Sequence, residues 1–138
     1  MAVIKELLRS EEGGAISFGN HKLPKKAKVE DFEHDGDRLK VKTYAAITKL
    51  EKNGMFLYES VPGTSVLNFL EREDGVEFVA EGDQDVQITL GLTDGKSYEV
   101  FVNGSSIGAM KTGLGGKLSL SVELETNGEV PVQVAQVS

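Results

Sequence analysis

Apolar and polar residues alternate with a period of two along much of this chain. In the segment KLSLSVEL, residues 117–124, every second residue is apolar, and serine or glutamate separates the apolar positions. The same alternation recurs in residues 38–44 and 98–102 and, with one slip near its end, in residues 130–137. Because successive side chains of a strand point to opposite faces of a sheet, the pattern predicts strands with one buried and one solvated face.

Short turn signals separate these segments. Asn-Gly and Asp-Gly pairs are typical of tight hairpins, since type I′ turns need a positive φ at both central residues. The glycine-containing turn pairs begin at Gly13, Asp35, Asn53, Asp74, Asp94, Asn103, Gly115 and Asn127. Together, the turns and the alternation predict an all-β fold, an antiparallel β-sandwich of about ten short strands.

Two segments fit a helix as well as a strand. Residues 3–10 (VIKELLRS) space their apolar side chains like one face of a helix, and residues 44–51 (YAAITKLE) are ambiguous in the same way. We predict a strand for each, the first leading into the Gly13-Gly14 turn.

Composition limits the classes of protein to which the chain can belong. Its 138 residues are 39% hydrophobic and 27% charged, which predicts one globular domain over residues 1–138. The net charge of −7 opposes binding to nucleic acid and to anionic membranes. The chain has no cysteine and no apolar run of signal-peptide or membrane-spanning length, so we expect a cytoplasmic protein without disulfides or thiolate metal sites.

Two glycine-rich segments resemble phosphate-binding loops. In GLTDGKS, residues 91–97, only three residues separate the glycines, Asp94 would face the anion, and the strand-like YEVFV follows where a helix is required. The segment TGLGGK, residues 112–117, also precedes an alternating strand. Both are therefore predicted to be turns, and no nucleotide or other cofactor is expected.

The acidic segment DFEHDGD, residues 31–37, has the start of a calcium-binding loop. Asp31, Glu33 and Asp35 occupy the first ligand positions, but Lys42 stands where the bidentate glutamate is required. We expect a hairpin with a solvated acidic face and no metal site. The two histidines, His21 and His34, show no zinc-ligand spacing and are predicted to lie on the surface.

No catalytic constellation is recognisable. The chain lacks the G-x-S-x-G motif of a nucleophile elbow, and nothing singles out a catalytic pair among its 22 acidic residues. We therefore expect a protein that is not an enzyme and has no catalytic residues.

The segment Met55, Phe56, Leu57, Tyr58 departs from the alternation because it is apolar throughout. A strand that is apolar on both faces is either enclosed in the core or covered by another subunit. These four residues are thus candidates for the core and for an interface. Pro62 and Gly63 then end the strand.

Two resemblances accompany this pattern. The C-terminal segment resembles the β-sandwich module appended to bacterial polysaccharide-degrading enzymes, on the residues Tyr98, Val100, Asn103, Gly104, Thr112, Gly116 and Leu118. The whole chain, including ITKLEKNGMFLYESVPGT, is similar to short bacterial proteins of an endosialidase type. Sialidase propellers are much larger and carry tryptophan-containing boxes, and this chain has no Trp and only three arginines. The resemblance therefore implies a β-sandwich that is an accessory or non-catalytic relative.

Two functions fit these observations. The first is a non-catalytic protein that acts through self-association, as a homo-oligomer, or through protein–protein assembly. The second is a carbohydrate-binding or accessory module of polysaccharide-active enzymes, in which Tyr44 and Tyr58 stack on a saccharide. Tyr98 lies at the start of an alternating strand and is expected in the core.

Overall fold

A computed structural model describes residues 6–137, which form thirteen strands, one short helix and two 3-10 turns. The strands are β1 (Leu8–Ser10), β2 (Ile16–Phe18), β3 (Ala27–His34), β4 (Asp37–Tyr44), β5 (Ile47–Lys52), β6 (Met55–Val61), β7 (Ser65–Arg72), β8 (Gly75–Glu81), β9 (Val86–Gly91), β10 (Ser97–Val102), β11 (Ser105–Lys111), β12 (Lys117–Val122) and β13 (Glu129–Gln136). The helix α1 is Leu124–Asn127, and the 3-10 turns are Glu12–Gly14 and Leu114–Gly116.

The strands form two antiparallel sheets. The seven-stranded sheet has the order β1-β2-β7-β8-β13-β10-β11, and the six-stranded sheet has the order β12-β9-β6-β5-β4-β3. The predicted all-β sandwich is confirmed, with thirteen strands instead of about ten. Within residues 6–137, no helix is long and apolar enough to cross a bilayer.

The two segments that fit a helix as well as a strand, residues 3–10 and 44–51, both contain strands within the part of the chain that the structure describes. Residues 44–51 include the end of β4, a turn at Ala45 and Ala46, and most of β5. Residues 8–10 of the first segment form β1, whereas residues 3–5 lie outside the described part of the chain. The turn at Ala45 and Ala46 thus interrupts the apparent helical face of residues 44–51.

The two sheets share one hydrophobic core with an aromatic centre. The ring of Phe18 packs edge-on against Tyr58 at 5.2 Å between centroids, and Phe69 stacks on Phe78 at 5.5 Å. Tyr58 also meets Phe78 edge-on at 5.6 Å, which joins β6 of one sheet to β8 of the other. Such aromatic pairs stabilise a core beyond the area that they bury.

A β-bulge explains the uninterrupted apolar segment of β6. Leu50 pairs with Tyr58 and Glu51 pairs with Phe56, so Leu57 is an extra residue. The bulge turns both Leu57 and Tyr58 into the core, where both are buried. The interface hypothesis is therefore wrong for Leu57 and Tyr58, whereas Met55 is exposed and Phe56 is half-buried.

The two lateral sides of the sandwich differ. On one side His34 bridges the sheets, with Nδ1 at 2.8 Å from the Ser10 hydroxyl and Nε2 at 2.9 Å from the Gly14 carbonyl. On the other side β11 ends the seven-stranded sheet, and six of its seven residues are exposed. One lateral side is thus closed by a histidine, and the other presents an exposed edge strand.

Candidate functional site

A row of three lysines crosses the outer face of the six-stranded sheet. Lys28 on β3 pairs directly with Lys42 on β4, and Lys42 pairs with Lys49 on β5. Direct cross-strand partners point to the same face. We call Lys28, Lys42 and Lys49 the lysine row. With Lys40 and Glu51 they line a shallow depression of about 60 Å³.

The charges of the lysine row are poorly compensated. Lys49 lies 3.7 Å from the Glu51 carboxylate, but neither Lys28 nor Lys42 forms an ion pair with any of residues 6–137. Like charges directly opposite each other destabilise a sheet. The row is therefore a local concentration of positive charge on a protein whose net charge is −7.

The row continues across the sheet with neutral and acidic residues. Lys49 pairs with Glu59, Glu59 with Thr89, and Thr89 with Ser119. The Thr89 and Ser119 hydroxyls lie 3.0 Å apart. Of the six residues across the sheet, three are thus cationic, one is acidic and two offer hydroxyl groups.

An apolar row lies beside the lysine row. Tyr44 follows Lys42 by two residues on β4 and pairs with Ile47, so both side chains share the outer face. Val61 on the neighbouring β6 is 51% exposed and lies one position beyond Ser60, the partner of Thr48. We call Tyr44, Ile47 and Val61 the apolar row. The ligand candidate Tyr44 therefore lies on the open face of the sheet, half-buried.

A wide acidic groove borders the lysine row on its other side. The groove has a volume of about 670 Å³ and shares Lys40 and Glu51 with the lysine depression. Its remaining charged lining residues are Glu30, Asp31, Glu33, Asp37 and Arg38. Carboxylates outnumber cationic groups here, so the groove repels anions.

The acidic segment of residues 31–37 contributes to this groove. Asp35 and Gly36 form the β3–β4 turn, as the hairpin hypothesis expects. Among the described residues, no group of three or more histidine, aspartate or glutamate side chains is arranged to hold a metal ion. The acidic residues instead lie on a solvated hairpin.

Both glycine-rich segments are turns, as predicted. Asp94 and Gly95 lie in the turn between β9 and β10, and a 3-10 turn precedes β12. Gly116 in that turn has φ +79°, and a Cβ atom there would collide with the Leu92 carbonyl. The close approach of the Leu92 backbone thus accounts for the glycine at position 116, without a bound phosphate.

Buried hydroxyl groups form a network under the loop between β6 and β7. The Thr64 hydroxyl lies 2.8 Å from both the Tyr58 hydroxyl and the Ser60 hydroxyl. Burial raises the pKa of Tyr58, which keeps the phenol neutral. Because Tyr58 is fully buried, it cannot stack on a saccharide, and its assignment as a ligand-binding candidate is wrong.

A serine, a histidine and an aspartate converge beside this network. His21 Nδ1 lies 2.8 Å from the Ser65 hydroxyl, and His21 Nε2 lies 3.7 Å from Asp83 Oδ2. Ser65 is fully buried, so its hydroxyl cannot reach a substrate. Asp83 is instead held by Lys22, whose ammonium group donates to Oδ2 at 2.7 Å. The arrangement anchors the segment after β2 and lacks an accessible nucleophile.

The expectation that both histidines lie on the surface is wrong for His21, which is buried. Burial lowers the pKa of His21 and outweighs the opposing effect of the Asp83 carboxylate. No sequence motif indicates this contact, because His21 and Ser65 are 44 positions apart. Only the pairing of β2 with β7 brings them together.

A buried carboxyl group lies on β8. Glu81 is 1% exposed, and its Oε1 atom has no hydrogen-bond partner among the described residues. Burial, with a smaller contribution from the Glu129 carboxylate on the adjacent β13, raises the pKa of Glu81. Burying an unpaired polar atom destabilises the folded state.

An apolar groove lies at the end of the sandwich near the β5–β6 turn. The groove has a volume of about 350 Å³, and its apolar lining includes Met55, Phe56 and Leu92. The Lys117 ammonium group lies 4.9 Å from the centroid of the Phe56 ring. Leu114, beside the lining residue Gly115, is 95% exposed. We call Met55, Phe56, Leu92 and Leu114 the end patch.

Comparison with known proteins identifies no relative. No protein-family model matches the chain, and no curated protein or solved structure is significantly similar to it.

Proposed function

We propose that this protein is a non-catalytic β-sandwich that associates with a second copy of itself through the end patch. The observation that carries the proposal is the 95% exposure of Leu114 beside an apolar groove. Clustered exposed apolar side chains mark interaction sites more often than scattered ones do.

The end patch combines a projection with a groove of matching chemistry. Leu114 projects from the turn before β12, and Met55 and Phe56 line the adjacent groove of about 350 Å³. In a two-fold dimer the same surface of each subunit contacts its equivalent, so residue i of one copy meets residue j of the other. Leu114 of each copy can thereby enter the groove of its partner, and the end patch is complementary to itself.

The buried polar groups support a non-catalytic protein. Ser65, the serine next to His21, is fully buried, and so is Thr64 at the centre of the hydroxyl network. A catalytic nucleophile must reach its substrate, and these hydroxyls are already satisfied by the protein. They stabilise the loops of the sandwich.

Sedimentation velocity over a range of protein concentrations tests the proposal. We expect a concentration-dependent dimer for the natural protein and a monomer for Leu114→Ser. Ile107→Ser is the matched control, because Ile107 is 53% exposed on β11 outside the end patch. A natural protein that remains monomeric throughout, or a dimer that Leu114→Ser leaves intact, would overturn the proposal.

A further inference from the structure

We infer that the outer face of the six-stranded sheet binds an acidic, amphipathic segment of another protein. The segment carries carboxylates that meet the lysine row and apolar side chains that meet the apolar row. The inference does not depend on self-association, because the end patch lies at the end of the sandwich and shares no residue with these rows.

The lysine row supplies the first part of the argument. Three ammonium groups on adjacent strands repel one another, and strands lie about 4.8 Å apart. Lys28 and Lys42 form no ion pair within residues 6–137. A ligand with carboxylates at strand spacing relieves this repulsion, whereas water and dilute ions relieve it only partly.

The apolar row identifies the class of ligand. It runs parallel to the lysine row, about 6.8 Å away along the strands, because Tyr44 lies two positions after Lys42 on β4. Ile47 and Val61 have no polar group to offer the hydroxyls of a sugar. A peptide with acidic and apolar side chains on one face matches both rows.

Charge and shape argue against other polyanions. Nucleic acid and anionic membranes present extended anionic surfaces, which cannot contact the lysine row without also facing the acidic groove beside it. The acidic groove, which contains Glu30, Asp31 and Glu33, blocks an anionic ligand on one side of the lysine row. An acidic segment must therefore lie with its carboxylates on the row and extend toward the apolar row or toward Thr89 and Ser119.

Fluorescence anisotropy with short labelled peptides tests the inference. The first peptide repeats the sequence Glu-Glu-Leu-Val, so that each face of the extended chain carries both carboxylates and apolar side chains. The second peptide replaces each glutamate with glutamine, and the third replaces each apolar residue with serine. We expect the first peptide to bind, and each of the others to bind at least about five-fold more weakly, as loss of one or two contacts of about 1 kcal/mol predicts. Equal affinity for all three peptides, or no binding of the first, would overturn the inference.

Two pairs of matched variants locate the site. Lys28→Gln combined with Lys42→Gln should weaken binding at least about five-fold, whereas Lys96→Gln combined with Lys111→Gln changes the net charge equally and should not. Val61→Ser should weaken binding, and Val137→Ser, at 54% exposure against 51% for Val61, should not. Equal effects of test and control variants would contradict the assigned face.

Competition separates a protein segment from a saccharide. Polygalacturonate carries regularly spaced carboxylates but no aliphatic side chains. We expect it to compete weakly, with no sensitivity to Val61→Ser. If polygalacturonate binds more tightly than the first peptide, the ligand class is a saccharide and the inference fails.

Discussion

Thr48 and Thr64 are joined by two hydrogen bonds. The Thr64 amide donates to Thr48 Oγ1 at 3.1 Å, and the Thr48 hydroxyl donates to the Thr64 carbonyl at 2.7 Å. Because the single hydroxyl proton of Thr48 is thus committed, Thr43 must donate in its 2.8 Å contact with Thr48. The Asn20 amide in turn donates to Thr43 at 2.9 Å. This chain of bonds fixes the segment after β2 and the β6–β7 loop to strands β4 and β5.

Replacing Thr48 with valine should therefore destabilise the protein strongly. The variant Thr48→Val leaves the amide and carbonyl of Thr64 and the hydroxyl of Thr43 without their partner, in a site that excludes water. We expect the free energy of unfolding to fall by about 2–4 kcal/mol, measured by urea denaturation. Thr89→Val is the control, because the Thr89 hydroxyl bonds at an exposed position and its loss should cost less than about 0.5 kcal/mol. If the two variants lost the same free energy of unfolding, the buried hydrogen bonds of Thr48 would stabilise the fold no more than the exposed bond of Thr89 does.

Reversing the central charge of the lysine row should stabilise the fold. Lys42→Glu places a carboxylate between Lys28 and Lys49, its direct neighbours on the adjacent strands. We expect the free energy of unfolding to rise by about 0.5–1 kcal/mol at low salt, with a smaller gain at high salt. Lys96→Glu, outside the six-stranded sheet, serves as the control for the change in net charge. A decrease in stability, or the same gain in the control, would contradict the repulsion within the row.

The pKa of Glu81 predicts a pH-dependent effect of one substitution. Its pKa in the folded state is raised above the ordinary value of 4.5, chiefly by burial. As the pH rises, Glu81 therefore loses its proton in the unfolded chain at a lower pH than in the folded protein. Ionisation of Glu81 thus lowers the free energy of unfolding as the pH rises from about 4.5 through the folded-state pKa. Below that range the carboxyl is protonated in both states, and the cost disappears.

Glu81→Gln removes this cost. We expect the variant to be more stable than the natural protein by about 1 kcal/mol at pH 7 and equally stable at pH 4, in thermal unfolding at both values. Glu73→Gln, at an exposed position in the β7–β8 turn, should change stability little at either pH. A gain that is the same at pH 4 and pH 7 would show that ionisation of Glu81 is not its source.

The elements that alternation predicts best are those with one solvated face. β12 follows the pattern because each apolar side chain faces the core and each polar one faces solvent. In the first part of β13, buried valines alternate with the exposed residues Glu129, Pro131 and Gln133. The apolar segment of β6 does not follow it, because a bulge changes which face Leu57 occupies. A bulge depends on the partner strand, so the sequence of β6 alone does not reveal it.

The candidate sites depend on strand register, which alternation does not determine. Lys28, Lys42 and Lys49 are ordinary surface residues of three separate strands in the sequence, and only the pairing of β3, β4 and β5 aligns them. The sequence alone predicts a surface position for His21, because a lone histidine in a polar segment carries no burial signal. Met55 and Tyr44 are candidates from the sequence alone, because an uninterrupted apolar run and an aromatic side chain stand out by residue type without knowledge of register.

The position of β13 has a consequence for how the molecule folds. In the seven-stranded sheet β13 lies between β8 and β10, and the β7–β8 and β10–β11 hairpins meet only through it. The two hairpins consist of local contacts and can form early, but their union must await a strand that follows both in the chain. Until β13 is inserted, the edges of β8 and β10 are open to pairing with other molecules. The interval between hairpin formation and insertion of β13 is therefore when aggregation and folding compete most directly.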